Sequence, residues 1–453
     1  MIHSVKAPSF RRPLLIGPLT CAIVAAFSLG SVACGGDDDD VSTSDNGGSS
    51  NGGSSSGKGG SSGKGGSSPT GGSSARGGSS GTSSTGGSGG KASLVDPDSF
   101  DGQEVFRHDT FGDEQLWTDT LRLNEAIQSA LTPVMALSLG LKVDAEALPE
   151  GILETADLMD PATTVALIGL DAVVGVKGTV DGSGNLTRVG ITCALCHSDV
   201  DDSVMDGIGM RIDGQANHDL DPGAIIALSP GLASDQDKLD VYNSWGPGMY
   251  DPRFNQDGMN HPVVIPSIYG LKDVPLETYT GDGPVSYWNS YVGITQMGGI
   301  GDFFDPRIGV SVAYDQDMIS SKIPALFDYE MSLEAPVPPD GSFDADASER
   351  GEALFEGDVA KCGTCHMEPN HTDIQNLVWH APEETGMDPI TAQRSATGMY
   401  RTTPLRGLLA NGPYFHDGSA ETLDDVVAHY NQAMDLGLTE AQQADIVEYL
   451  KSL

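Results

Sequence analysis

Two five-residue stretches carry residue types and a spacing suited to covalent cofactor chemistry: Cys193-Ala194-Leu195-Cys196-His197 and Cys362-Gly363-Thr364-Cys365-His366. C-x-x-C-H is the attachment sequence for c-type haem. Two thiols add across the porphyrin vinyl groups, and the adjacent histidine supplies the proximal imidazole to iron. A single C-x-x-C also serves as a thioredoxin-like redox pair or as half of a zinc site. Both pairs here carry the histidine, and no further Cys-rich knuckle exists to complete a zinc site. The expected cofactor-binding residues are Cys193, Cys196, His197, Cys362, Cys365 and His366, with His197 and His366 as proximal iron ligands. On these residues the chain reads as a di-haem c-type cytochrome.

The remaining cysteines of the six are Cys21, inside an apolar leader, and Cys34 at its end, which leaves none for a disulfide. A chain of 453 residues has room for two or three domains. Its net charge of −40 excludes nucleic acid as a partner, because phosphates would be repelled. The same charge suits an extracytoplasmic surface or docking to a basic redox partner.

Residues 1–34 read as an export signal: Lys6, Arg11 and Arg12 form a positive n-region, and Leu14 to Leu29 a mostly apolar h-region. Gly17 and Pro18 interrupt it, and it is too short for a membrane-spanning helix. Ser31-Val32-Ala33-Cys34-Gly35 resembles a bacterial lipobox, in which Cys34 would be lipidated; Ser31 departs from the usual leucine. Residues 35–94 follow as four aspartates, Asp37 to Asp40, and a Gly/Ser tract whose units, such as Gly59-Gly60-Ser61-Ser62-Gly63-Lys64, repeat without apolar residues, read as a disordered tether. Roughly 45 such residues span about 35–40 Å on average. Export fits c-type haem independently. The expected location is the periplasm or the bacterial outer membrane or cell surface, with the membrane touched only through a lipid anchor.

The elements that must position the two motifs are helical. The expected fold is mainly α and loop-rich, with two cytochrome c-like haem domains over 95–340 and 341–453. Gly102 with Phe106, and Gly351 with Phe355, place a glycine and an aromatic on one helical face ahead of each motif. A second helix is expected from Trp117 to Leu131. Ser348 is expected to cap a short helix, and Thr439-Glu440-Ala441-Gln442 is a capping box ahead of the stripe Ile446, Val447, Leu450 and Leu453. His218, 21 residues after His197, is a candidate sixth iron ligand, although a polar loop position explains it equally; Met205 and Met210 are rivals. Trp245 and the pair Tyr287-Trp288 are the aromatics suited to bridging two haems, with core packing as the plainer account.

Tyr400-Arg401-Thr402-Thr403-Pro404-Leu405-Arg406, followed by Pro413-Tyr414-Phe415-His416-Asp417-Gly418, resembles the C-terminal signature of the bacterial di-haem cytochrome c peroxidase and MauG superfamily. The match covers about 350 to 453 and extends only loosely over 100 to 310. The resemblance implies a sixth ligand on the helix after His416, where the spacing lands on Tyr430. Thr422 can cap that helix, and Leu423, Val426, Val427 and Tyr430 share a face. Buried packing also explains Tyr430, and Met434, Met399 and His429 are rivals. The resemblance further implies a calcium ion at the backbone carbonyls of Asn411 and Pro413. It places Gln296, before Met297-Gly298, where family peroxidases carry a glutamate that assists O–O cleavage. An amide cannot act as a general base. The expected function is extracytoplasmic electron transfer through two covalent haems, with a redox protein or a small donor or acceptor as partner. The alternative is peroxidase chemistry: hydrogen peroxide reduced at the His197 haem, with Gln296 and Trp288 beside it and electrons from the His366 haem. A MauG-like oxidation of a protein substrate is a narrower version, motivated by Tyr430.

Overall fold

Asp101, Asp344, Thr422 and Thr439 start helices in this chain, each a short polar side chain that takes a first free N–H group. The computed structural model describes residues 99–453; the export signal, Cys34 and the Gly/Ser tract lie outside the described residues. The elements that position the site are helices α1 (Gly102–His108), α2 (Leu123–Ala130), α3 (Val285–Thr295), α4 (Ile323–Glu330), α5 (Ala345–Phe355), α6 (Leu423–Ala433) and α7 (Glu440–Lys451), with a hairpin of β1 (Val176–Val180) and β2 (Leu186–Ile191). Among the described residues, strands pair only as two-stranded ladders, so the fold is mainly helical and loop-rich. No helix among them is long and apolar enough to cross a membrane.

Thr422 and Thr439 cap α6 and α7 in reciprocal capping boxes with Asp425 and Gln442, as their sequence spacing predicts. Asp344, not Ser348, caps α5: its Oδ1 accepts from the Ala347 N–H at 2.9 Å, and Ser348 lies inside the helix. The stretch from Trp117 to Leu131 is not one helix. A π-helical turn over Gln115–Thr120 ends at Arg122, whose φ of 61° breaks the repeat before α2. Ile127 and Leu131 still reach the core, because the break rotates α2 without removing its apolar face.

Three hydrophobic cores form within the compact unit that holds the described residues. One gathers Trp117, α2 and the β1–β2 hairpin around Ile168 and Leu195. A second packs α1 and α4 with Trp288 and Tyr291 of α3. The third lies between α5, α6 and α7, with Phe355, Val427, Ile446 and Leu450 at its centre. Two glycines make the helix crossings close. A Cβ on Gly351 would stand 2.0 Å from the Asp445 carbonyl oxygen of α7, and one on Gly102 would stand 2.0 Å from that of Ala325 in α4. Any larger residue would therefore part α5 from α7, or α1 from α4.

Asp113 lies beneath β2, fully buried, accepting from the Ile191 N–H at 3.1 Å while its Oδ1 has no partner. Burial pushes its carboxyl up to about 9, against the opposing effect of the Ile191 hydrogen bond. The folded protein thus keeps a proton that the unfolded chain loses near 3.8, and stability falls as pH rises through that window. Asp113→Asn is expected to flatten this slope, so that its thermal midpoint gains on the native protein from pH 5 to pH 8. Parallel pH profiles for the two proteins would contradict this assignment.

Candidate functional site

The β1–β2 hairpin delivers the first motif. Thr192, directly after β2, donates its N–H to Gly175 O at 2.9 Å and its hydroxyl to Arg107 O at 3.1 Å, tying the motif to the end of α1. Cys193, Cys196 and His197 then line a largely apolar cavity walled by α2, α3 and the 263–268 segment. The imidazole of His197 has its Nδ1 3.0 Å from Pro266 O. Burial lowers its pKa to about 4, so the ring is neutral, Nδ1 carries the proton and Nε2 keeps a free lone pair.

The second motif repeats this arrangement. Cys362, Cys365 and His366 line a cavity formed with α6, α7 and the 400–416 segment. His366 Nδ1 stands 3.0 Å from His371 O, and burial again lowers the ring to about 4. Burial also pushes the Cys196 thiol up to about 12 and that of Cys362 to about 11. A reactive redox dithiol has a lowered value, so the raised ones disfavour that alternative. Cys365 does lie near Asp373 and His380. There, however, His380 is spoken for: burial alone would lower its pKa, but hydrogen bonds to Asp373 (2.9 Å) and Glu384 (3.1 Å) raise it.

The two cavities share a wall made of Val264 to Ser267, Leu271, Thr278, Tyr279 and Arg401. Tyr279 is the aromatic residue on it, with its hydroxyl donating to Val264 O at 3.0 Å. Sequence reasoning missed it, since Tyr279 sits in an irregular loop with no motif around it. Trp288 lines the first cavity but not the second, and its indole N–H donates to Glu277 O at 3.2 Å. Tyr287 and Trp245 line neither cavity. Trp245 instead packs edge-on against Tyr242, Tyr250 and Phe254. Core packing accounts for Trp245 and Tyr287, while Tyr279 lines both cavities.

Gln296 ends α3 and lines the first cavity, buried, its Oε1 accepting from the Tyr250 hydroxyl at 3.0 Å. It can orient but not exchange a proton. Two carboxyls missed by the sequence reading also line this cavity. Burial pushes Glu277 up to about 7 and Glu330 to about 8. Glu277 Oε2 meets Arg401 Nη2 at 3.0 Å, while Glu277 Oε1 and Arg401 Nη1 stay buried without partners. Glu330 accepts from Asn289 Nδ2 at 2.6 Å.

The candidate sixth ligands separate cleanly. His218 does not line the first cavity: its ring nitrogens face the carbonyls of Gly412 (2.8 Å) and Ile265 (3.0 Å), so neither points at the His197 site. Met205 and Met210 are exposed and also stand away from it. Asn411 and Pro413, whose backbone carbonyls are the expected calcium ligands, line the second cavity, and the Asn411 side-chain Oδ1 accepts from the Ser267 hydroxyl at 2.6 Å. His218 takes the carbonyl between them. Tyr430 and Met434 line the second cavity, whereas Met399 does not, and His429 Nε2 faces Thr385 O at 2.8 Å. Tyr430→Phe is expected to change the visible absorption of the ferric haem protein if the phenolate reaches iron. An unchanged spectrum assigns Tyr430 to packing.

The residues present fit c-type haem. Each cavity joins two thiols, one neutral imidazole with a free Nε2 and an apolar surround, and the unpartnered Arg401 Nη1 suits a carboxylate-bearing ring edge. No family profile matches the chain. It is 29% identical to the cytochrome-c peroxidase IdrP1 of Denitromonas iodatirespirans, over 23% of this chain and 40% of that protein. It is 32% identical to the methylamine utilization protein MauG of Methylorubrum extorquens, over 24% of this chain and 35% of that protein. The chain thus spans less than half the length of these relatives. A solved hydrazine synthase of Kuenenia stuttgartiensis aligns with a TM-score of 0.33 at 19% identity, covering 47% of this chain and 78% of that one. The paired motifs, the C-terminal signature and the two sequence relatives make the chain similar to the bacterial di-haem cytochrome c peroxidases and MauG proteins.

Proposed function

We propose that this protein carries electrons between extracytoplasmic partners through two haems, one attached at Cys193 and Cys196 and the other at Cys362 and Cys365, held in halves 95–340 and 341–453. The observation that supports it most is the shared wall: the two cavities meet across Val264 to Ser267 and Tyr279, so two redox groups would lie one side-chain layer apart. When bound, such groups supply one-electron chemistry. The chain's own part is to fix each imidazole through a backbone carbonyl, exclude water with apolar walls and place Tyr279 between the sites. Gln296, held by Tyr250 and unable to take a proton, supports electron transfer over peroxide reduction. The acidic surface would steer a basic redox protein, with an on-rate that falls as salt rises. Export, lipidation at Cys34 and a periplasmic or cell-surface location belong to this proposal.

Electron paramagnetic resonance of the oxidised and half-reduced protein tests the reading. Two low-spin ferric signals when oxidised, and no high-spin signal in either state, are the expected result. A high-spin signal accompanied by consumption of hydrogen peroxide would overturn it in favour of peroxide reduction at the His197 iron.

A further inference from the structure

Where the two cavities meet, three side chains converge that electron transfer does not require. His261, Asp388 and His416 each offer one ligand atom, and these atoms lie within 4.8 Å of one another. His261 lines the first cavity and His416 the second. His261 Nε2 is buried without a hydrogen-bond partner and stands 3.4 Å from Asp388 Oδ1. Asp388 is oriented by the Ile390 N–H, which donates to its Oδ1 at 2.8 Å. His416 is 3% exposed, and burial lowers its imidazole pKa, which favours the neutral form that ligates metals. The backbone holds the rings in place: Arg394 Nη1 donates to His261 O at 3.2 Å, and the Val264 N–H to His416 O at 2.8 Å. Tyr400 adds a second layer, its hydroxyl donating to Asp388 O and standing 3.2 Å from His416 Nε2.

We propose that His261, Asp388 and His416 form a binding site for a divalent ion of the zinc class, joining a loop of the N-terminal half to two segments of the C-terminal half. Two imidazoles and one carboxylate are a borderline-soft donor set that suits zinc and leaves a fourth position open. Calcium and magnesium, which take oxygen ligands, are disfavoured. Ligand atoms that lie within 4.8 Å of one another close to about 3.4 Å apart around an ion bound tetrahedrally at about 2.0–2.2 Å. The site draws on neither C-x-x-C-H motif, and it stands independently of how the haems are used.

The test uses the full-length haem-loaded protein, stripped with a chelator and titrated with zinc ion, with bound metal counted by mass spectrometry. One zinc per chain above background is expected, with a thermal midpoint that rises with zinc concentration. His261→Gln and Asp388→Asn, both at partly exposed residues that should fold, are each expected to weaken binding at least tenfold, since even outer-shell losses cost that much. The acidic run Asp37 to Asp40 is common to all three proteins, so metal it collects cancels in the comparison. Equal zinc uptake by native and variant proteins would reduce the cluster to a His261–Asp388 ion pair and overturn the proposal. So would a changed haem spin state in His261→Gln, which would place His261 on iron instead.

Discussion

Replacing Cys362 and Cys365 together with serine is expected to lower the haem content from two per chain to one and to unfold the 345–453 half. The reason lies in how lean the third core is. Of its buried members, Phe355, Ala360, Leu408, Leu423, Val427, Leu438, Ile446 and Leu450 all line the second cavity, leaving only Val447 and Tyr449 away from it. A group filling that cavity is therefore the centre of this core. Losing it leaves a void whose lining has no partner atoms, at a cost of about 24 cal/mol for each Å³ that fails to collapse. The corresponding pair Cys193→Ser and Cys196→Ser should behave differently. The void there opens in the first core, where Trp117, Leu123, Ile127, Ile168, Val189 and Leu195 line the first cavity; in the second core only Trp288 and Met297 do, so Val105, Phe106, Tyr291 and Leu326 keep α1, α3 and α4 packed without it. Haem quantification together with limited proteolysis separates the cases. Cleavage within α5 to α7 is expected in the first double variant and protection of α1 and α4 in the second. Full protection of α5 to α7 with one haem missing would show that the third core stands by itself.

What was legible beforehand followed from local rules. C-x-x-C-H fixes ligand types at adjacent positions, Thr422 and Thr439 announce helix starts through residues three places on, and Gly351 marks a crossing because nothing larger fits there. These signals need no knowledge of the distant chain. The positions that local rules leave open depend on such knowledge. Ser348 is as good a cap residue as Asp344, and the choice was made by which of them α7 leaves at the helix start; the Asp344 N–H donates to Glu448 Oε2 at 2.6 Å. His218 has the chemistry of a ligand, but the 264–267 and 411–413 segments close around it and supply carbonyls to both nitrogens. Tyr279 lines both cavities and Trp288 only the first, where its indole N–H donates to Glu277 O. The cap at Asp344 and the Gly412 carbonyl at His218 follow from packing between segments more than 100 residues apart, which no periodicity records. The ion pairs that stitch the halves, Arg394 to Asp251 at 2.9 Å and Arg401 to Glu277 at 3.0 Å, were invisible for the same reason.

Arg401→Leu is expected to destabilise the protein by roughly 3–5 kcal/mol at pH 8.5 and by much less at pH 5.5. Arg401 and Glu277 are both nearly inaccessible, and each lies on the wall or lining of the first cavity. Removing the guanidinium strands a carboxylate where water cannot reach it, and the carboxyl responds by holding its proton. Its native value is already raised to about 7, chiefly by burial, with Arg401 and then Arg406 opposing the rise. Without Arg401 the folded value climbs further while the unfolded chain still titrates near 4.5. A carboxyl with a raised folded value loses stability as pH rises, so the gap between variant and native protein opens above about 7 and is nearly closed at pH 5.5, where Glu277 is neutral in both. Adding Glu277→Gln to Arg401→Leu removes the stranded charge and should restore most of the loss at pH 8.5, whereas Glu277→Gln alone should cost little at pH 5.5. A loss of equal size at both pH values, or no rescue by the second substitution, would show that Arg401 acts through its hydrogen bond to Thr278 O, beside Tyr279, rather than through charge. Either way the residue holds the loop that separates the two cavities. The same substitution should therefore also slow electron equilibration between the two haems after flash reduction, because a loosened Thr278–Tyr279 segment no longer fixes the aromatic ring between them.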